Sequence, residues 1–180
     1  MKKITALLIA AMLLFTASAF ADSAAVAFQD RFEIRADLPD GWHCTIVSQN
    51  DMTLEGDVRS DGDDLAAPVM NVFVSFNESY AGVNALGELD DEALEIIKAG
   101  FSEENEITFD TLTTDSGLSL LVIRETGADQ DFLDFYTIWQ GYEIELTLMA
   151  GDQVAGRVLT EEQVQSCLAY ARTLSIGPVE

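Results

Sequence analysis

The stretch DFLDFYTIWQGYEIELTLMA, residues 131–150, decides the fold class. After Gly141, polar Glu143, Glu145 and Thr147 interleave with apolar Ile144, Leu146 and Leu148. A period of two residues belongs to a strand, because successive side chains of a pleated chain point to opposite faces. Gly141 lies between two such runs and marks a tight turn, so Asp131 to Gln140 and Tyr142 to Ala150 form a hairpin. Hairpins pair antiparallel strands, since parallel neighbours need a crossover of a dozen residues or more.

Working outward, the same reading recurs. Ile107 to Thr114 and Leu118 to Glu125 flank the turn Asp115-Ser116-Gly117 and make a second hairpin, and Trp42 to Gln49 pairs with Met52 to Val58 across Asn50-Asp51. Arg31 to Arg35 reads as an opening strand closed by Pro39-Asp40-Gly41. Val69 to Asn77 is apolar enough for a strand inside a sheet. The period changes twice. From Asp90, Leu94, Ile97 and Phe101 recur at helical spacing, with acidic residues in the first turn and Gly100 as the stop. Thr160-Glu-Glu-Gln163 is a capping box, and behind it Val164, Cys167, Leu168 and Ala171 form one apolar stripe. This order predicts an α+β domain: an antiparallel sheet of about six to eight strands with helices packed on its faces. The domain is placed at 31–177, between a linker at 22–30 and a short tail at 178–180.

Residues 1–21 carry Lys2 and Lys3, an apolar run from Ala6 to Phe15, and the small-residue site Ala19-Phe20-Ala21. That is the pattern of a cleavable secretory signal, and its apolar run is shorter than the ~20 residues that span a bilayer. The sequence therefore predicts a secreted or periplasmic protein with no membrane anchor. The chain of 180 residues holds 32 Asp and Glu against 9 Lys and Arg, for a formal charge of −23, and loss of Lys2 and Lys3 leaves it more acidic still. Such a field repels nucleic-acid backbones and anionic lipid surfaces; its plain role is solubility, and its functional alternative is attraction for a cationic ligand or a basic protein partner.

The opening Phe32-x-Ile34 strand is followed by Leu38-Pro39-Asp40-Gly41-Trp42. Later come Phe135-Tyr136-x-Ile138-Trp139, Tyr142-Glu-Ile-Glu-Leu146, and a closing helix from Thr160-x-x-Gln163 to Thr173-Leu174-Ser175-Ile176. Together they resemble the PsbP-like fold family, which contains the extrinsic PsbP proteins of photosystem II, the Ran-binding Mog proteins and many bacterial exported proteins. The resemblance spans most of the exported chain. It implies an antiparallel sheet with helices on both faces and a role in binding other proteins. The motifs are packing signatures, and no photosystem-docking or Ran-binding residue carries over.

Candidate chemistry is sparse. Cys44 and Cys167 are the only cysteines and both fall on apolar faces, so an exported chain allows either a bridge between them or two buried thiols. His43 is the only histidine and points away from Cys44 on a strand, which excludes a Cys-His dyad from this pair and any site of several imidazoles. No nucleophile elbow, phosphate loop or dinucleotide fingerprint occurs. Glu143 and Glu145 share one strand face and suit either a pair of catalytic carboxylates or, as favoured here, a half-exposed strand. Asp57, Asp61, Asp63 and Asp64 crowd one loop but break the calcium-loop spacing, with Arg59 and Pro68 at ligand positions, so a solvated loop is preferred over a weak calcium site. Trp42, Tyr136, Trp139 and Tyr142 read as core. The loop Glu78 to Leu89, with Tyr80 and Asn84, is long enough to form a lip over a groove. The expectation is a non-enzymatic exported binding domain without cofactor or metal. The rival is a carboxylate-dependent hydrolase.

Overall fold

A computed structural model of the protein describes residues 23–60, 67–101, 106–127, 130–151 and 154–179. Residues 1–21, read as a secretory signal, and the loop positions Asp61, Asp63 and Asp64 lie outside the described residues. The architecture is α+β: β1 (Ser23–Phe28), β2 (Phe32–Asp37), β3 (Trp42–Gln49), β4 (Thr53–Ser60), β5 (Val69–Phe76), α1 (Asp91–Ala99), β6 (Glu106–Thr113), β7 (Ser119–Thr126), β8 (Asp131–Trp139), β9 (Tyr142–Met149), α2 (Glu161–Thr173) and β10 (Ser175–Gly177). Seven strands make one antiparallel sheet in the order β3-β4-β5-β9-β8-β7-β6, and β1-β2-β10 make a second, three-stranded sheet.

The β8–β9 hairpin sits at the middle of the large sheet, in unbroken register from Phe132↔Met149 to Trp139↔Tyr142. Its turn residues Gln140 and Gly141 both have positive φ, 51° and 83°, the two-residue turn whose twist matches the flanking strands. Leu133, Phe135, Ile144, Leu146 and Leu148 belong to the main core, joined there by Leu54, Val72 and Val74 from β4 and β5. The small sheet closes this core with Val26, Phe28, Phe32 and Ile34, and α2 adds Val164, Cys167 and Ala171. Phe28, Phe32 and Phe76 pack around Tyr142 at ring separations of 5.2 to 5.4 Å, tying the small sheet to the central hairpin.

The capping box predicted for α2 forms in both directions, with Gln163 N donating to Thr160 Oγ1 at 3.2 Å and Thr160 N donating to Gln163 Oε1 at 2.8 Å. On α1, Asp90 is the N-cap and accepts from Ala93 N. Leu94, Ile97 and Phe101 pack on Leu121, Ile123, Tyr136 and Ile138, the opposite face of the large sheet from the small one.

Two sequence expectations change. Residues 22–30, read as linker, instead supply β1, which pairs with β2 from Ser23↔Asp37 to Phe28↔Phe32. Its small Ala25 and Ala27 hide the alternation that Val26 and Phe28, both buried, reveal in the fold. The closing segment Ser175–Gly177, read as a helix end, pairs with β2 as a third strand.

Gly141 also fastens the long loop. Its N–H donates to Val83 O at 2.9 Å, its carbonyl accepts from Asn77 N at 3.1 Å, and an added Cβ would meet Phe76 Cε2 at 3.2 Å. A Gly141→Ala variant should therefore lose about 1–2 kcal/mol of stability, the cost of a left-handed conformation with a side chain. Urea unfolding measures it, and an unchanged midpoint would refute the role given to this turn.

Candidate functional site

The face that carries α1 is chemically divided. Beneath the helix, Leu121, Ile123 and Ile138 of β7 and β8 are apolar and covered, whereas Glu125 of β7, Asp134 of β8 and Glu143 and Glu145 of β9 make another part of the same face acidic. An open groove of about 470 Å3 runs along the boundary. Tyr80, Ile96, Ile97, Gly100 and Phe101 form its wall, and Glu125, Tyr136, Glu143 and Glu145 line the rest.

The register explains why these carboxylates meet. Tyr136 lies opposite Glu145, Ile138 opposite Glu143, and Asp134 opposite Thr147, so alternate residues of β8 and β9 stack on one face. One strand further, Glu125 pairs with Phe132 and Ile123 with Asp134, which brings Glu125 diagonally beside Asp134. Asp134 itself is only 3% exposed and is not among the residues that line the groove.

Glu143 is held at both oxygens: Tyr136 Oη donates to Oε1 at 2.7 Å and Asn77 Nδ2 donates to Oε2 at 3.1 Å. Asn77 also caps the short turn Glu78–Tyr80 by accepting from Ser79 N, so one side chain fixes both the carboxylate and the start of the loop that carries Tyr80. Tyr136 ionises far less readily than a free tyrosine, through burial first and then its bond to Glu143.

Asp134 is pushed up to about 7. Burial is the main cause, and like charge from Glu145 and Glu125 adds to it against a hydrogen bond with Thr147. Glu145 is raised in the same direction, by burial first and then by Glu143 and Glu125. Asp134, Glu143 and Glu145 take part in none of the ion pairs among the described residues, which join Arg35 to Glu33, Arg59 to Asp57, Lys98 to Glu95 and Arg124 to Glu161. The groove is thus a concentration of negative charge beside an aromatic wall.

Of the residues singled out in the sequence, Tyr80, Glu143 and Glu145 come together here. Asn84 does not line the groove; its N–H and its carbonyl hold Glu88 and Gln140 instead. Tyr142 is core, as read, whereas Tyr136 serves both core and groove. His43 is exposed on β3. Asp57 pairs with Arg59, and no group of three or more metal-ligating side chains is assembled among the described residues. No helix among them is long and apolar enough to cross a membrane. Cys44 and Cys167 are free thiols that border the space between α2 and the large sheet. Cys167 is buried and its thiol is pushed up to about 12; Cys44 is half-buried and raised by burial and by Asp57. Asp134 and Glu125 went unnoticed in the sequence, although a charged residue in the apolar run of β8 was the available signal. The chain matches no protein-family model, and no curated protein matches it.

A carboxyl raised in the folded state binds its proton more tightly there than in the unfolded chain, so its contribution to stability falls as pH rises from about 4 to about 7. Asp134→Asn should remove this loss, making the variant more stable than the parent above pH 7 by on the order of 2–4 kcal/mol and little different near pH 4. Denaturant unfolding across that range measures it, and equal stability at pH 8 would contradict the assignment. The cysteines give a separate check: the denatured, unreduced chain should take up two alkylating groups by mass spectrometry, and uptake of none would mean a Cys44–Cys167 bridge.

Proposed function

We propose that this is an exported, non-enzymatic binding domain that receives a cationic segment of a partner protein in the groove beside α1. The observation that carries the reading is the set of carboxylates Glu125, Glu143 and Glu145, coupled to the buried Asp134 on the same sheet face and joined in the groove by Tyr80 and Phe101. Carboxylates stacked this closely repel one another, and a Lys or Arg head placed among them relieves that repulsion. The aliphatic stem of the same side chain suits the wall of Ile96 and Ile97, and the aromatic rings suit a cation. The formal charge of −23 adds long-range steering of a basic partner. The resemblance to the PsbP-like fold family, whose known members mostly bind proteins, and the leader-like residues 1–21 point the same way.

The rival reading, a secreted carboxylate-dependent hydrolase, draws on one observation: Asp134 is pushed up to about 7, the range in which a carboxyl can serve as a general acid. Asp134 is 3% exposed and does not line the groove, so it has no contact with a substrate there. Binding is the better reading.

Because a cation prefers the ionised groove, a short Arg- and Lys-rich peptide should bind more tightly as pH rises from 5 to 8, with proton release at the lower end. Replacing Glu143 and Glu145 together by Gln should weaken it by about tenfold or more. Replacing the exposed Glu106 and Asp110 of β6 by their amides changes net charge equally and should matter far less. Calorimetric titration decides: equal losses in both double variants, or no pH dependence, would reject the groove as the binding site.

A further inference from the structure

On the other face of the large sheet, an apolar crevice of about 270 Å3 opens between α2 and the β3–β4–β5 end. Leu38, Trp42, Val58, Met70, Leu148 and Tyr170 line it. A smaller void of about 40 Å3, also bordered by Leu38, Val58, Met70 and Tyr170, continues the same apolar space toward Phe135 and Leu146 in the core. A straight helix laid on a twisted sheet touches it along a limited line, and here α2 leans on β2 more than on β3 or β4. Water gains little in such a space, since few polar groups bond it, whereas an apolar ligand gains roughly 25 cal/mol for each Å2 it removes from water.

Besides Tyr170 and Trp42, whose rings carry a hydroxyl and an indole N–H, the polar side chains that line the crevice are Glu162, Gln163 and Ser166 from the N-terminal half of α2. Gln163 is spent in the capping box with Thr160, which leaves the Glu162 carboxylate and the Ser166 hydroxyl for a ligand. No Lys, Arg or His is among the described residues that border the crevice. An anionic head, such as a fatty carboxylate, would meet Glu162 and a domain of charge −23 with nothing to neutralise it. A positively charged head meets a complementary rim.

We infer that the crevice between α2 and the β3–β5 end of the large sheet is a small-molecule site for a cationic amphiphile, its apolar chain inserted beside Trp42, Met70 and Tyr170 and its charged head at Glu162 and Ser166. This site is independent of the carboxylate groove, which lies on the opposite face of the same sheet.

Decyltrimethylammonium, decyl glucoside and decanoate, each titrated below micelle formation and followed by tryptophan fluorescence and calorimetry, supply the test. The cationic chain should bind at one site, about tenfold tighter than the neutral one, and decanoate should not bind measurably. Tetramethylammonium, which has the head without the chain, should not fill the crevice. Ser166→Trp places a ring over the mouth from an exposed helix position and should weaken decyltrimethylammonium by about tenfold or more, with an unchanged thermal midpoint and unchanged basic-peptide binding. Glu162→Gln should erase the preference for the cationic chain over the glucoside while leaving the glucoside's own affinity in place. Decanoate binding as well as decyltrimethylammonium, or binding indifferent to Ser166→Trp, would overturn the inference. Failure of the peptide alone would instead count against the groove.

Discussion

The central hairpin β8–β9 lies with three strands of its sheet on one side and two on the other, so both of its faces have to be covered or made polar. Everything else in the molecule follows from how that requirement is met. One face receives the three-stranded sheet together with α2, and there the alternation of Leu133, Phe135, Ile144, Leu146 and Leu148 is fully apolar. Among the described residues, the other face receives α1 and the loop before it. A helix of nine residues is about 14 Å long, enough to cross roughly three strands at their spacing of about 4.8 Å. Apolar Leu121, Ile123 and Ile138 lie within its reach, and Glu143 and Glu145 lie beyond it. The acidic groove is the part of a buried-strand face that the chain does not cover.

That division explains why the carboxylates of the groove are costly and still ordered. Glu143 is fixed by Tyr136 and Asn77, both of which are anchored by other elements, so its position does not depend on a cation. Asp134, buried on the same face, shares the field of Glu145 and Glu125. A protein selected for stability alone gains from an amide or an apolar residue at that position.

Much of the fold was legible because its signals are local. The capping box Thr160-x-x-Gln163 is a pattern of four residues, and the β8–β9 turn needs only Gln140-Gly141 between alternating runs. β1 was missed since Ala25 and Ala27 carry no strand preference and the segment follows residues read as a secretory signal. The site was half legible for a related reason. Glu143 and Glu145 share a strand face through their spacing in the chain, which sequence gives directly. Asp134 and Glu125 join them only through the register of β7 on β8 and of β8 on β9, and register is a property of paired strands that no single segment carries. The crevice was invisible altogether, because it arises where α2 and the large sheet diverge and not from any residue pattern.

The groove and the crevice differ in shape and in the chemistry of their walls, but the same sheet separates them and the same field acts on both. Strand β9 places Glu145 on one side and Leu148 on the other, so the pleat that keeps carboxylates out of the core also keeps apolar surface out of the groove. The field of a −23 chain extends over about a Debye length, some 8 Å at physiological salt, beyond either opening. It therefore biases both toward positively charged molecules before any contact forms. Discrimination then falls to the walls: the groove offers several carboxylates and a short aromatic edge, suited to charge with little apolar bulk, whereas the crevice offers a single rim carboxylate and a deep apolar interior. A ligand is sorted between them by the ratio of its charge to its apolar surface, and that ratio distinguishes a basic peptide from a cationic amphiphile.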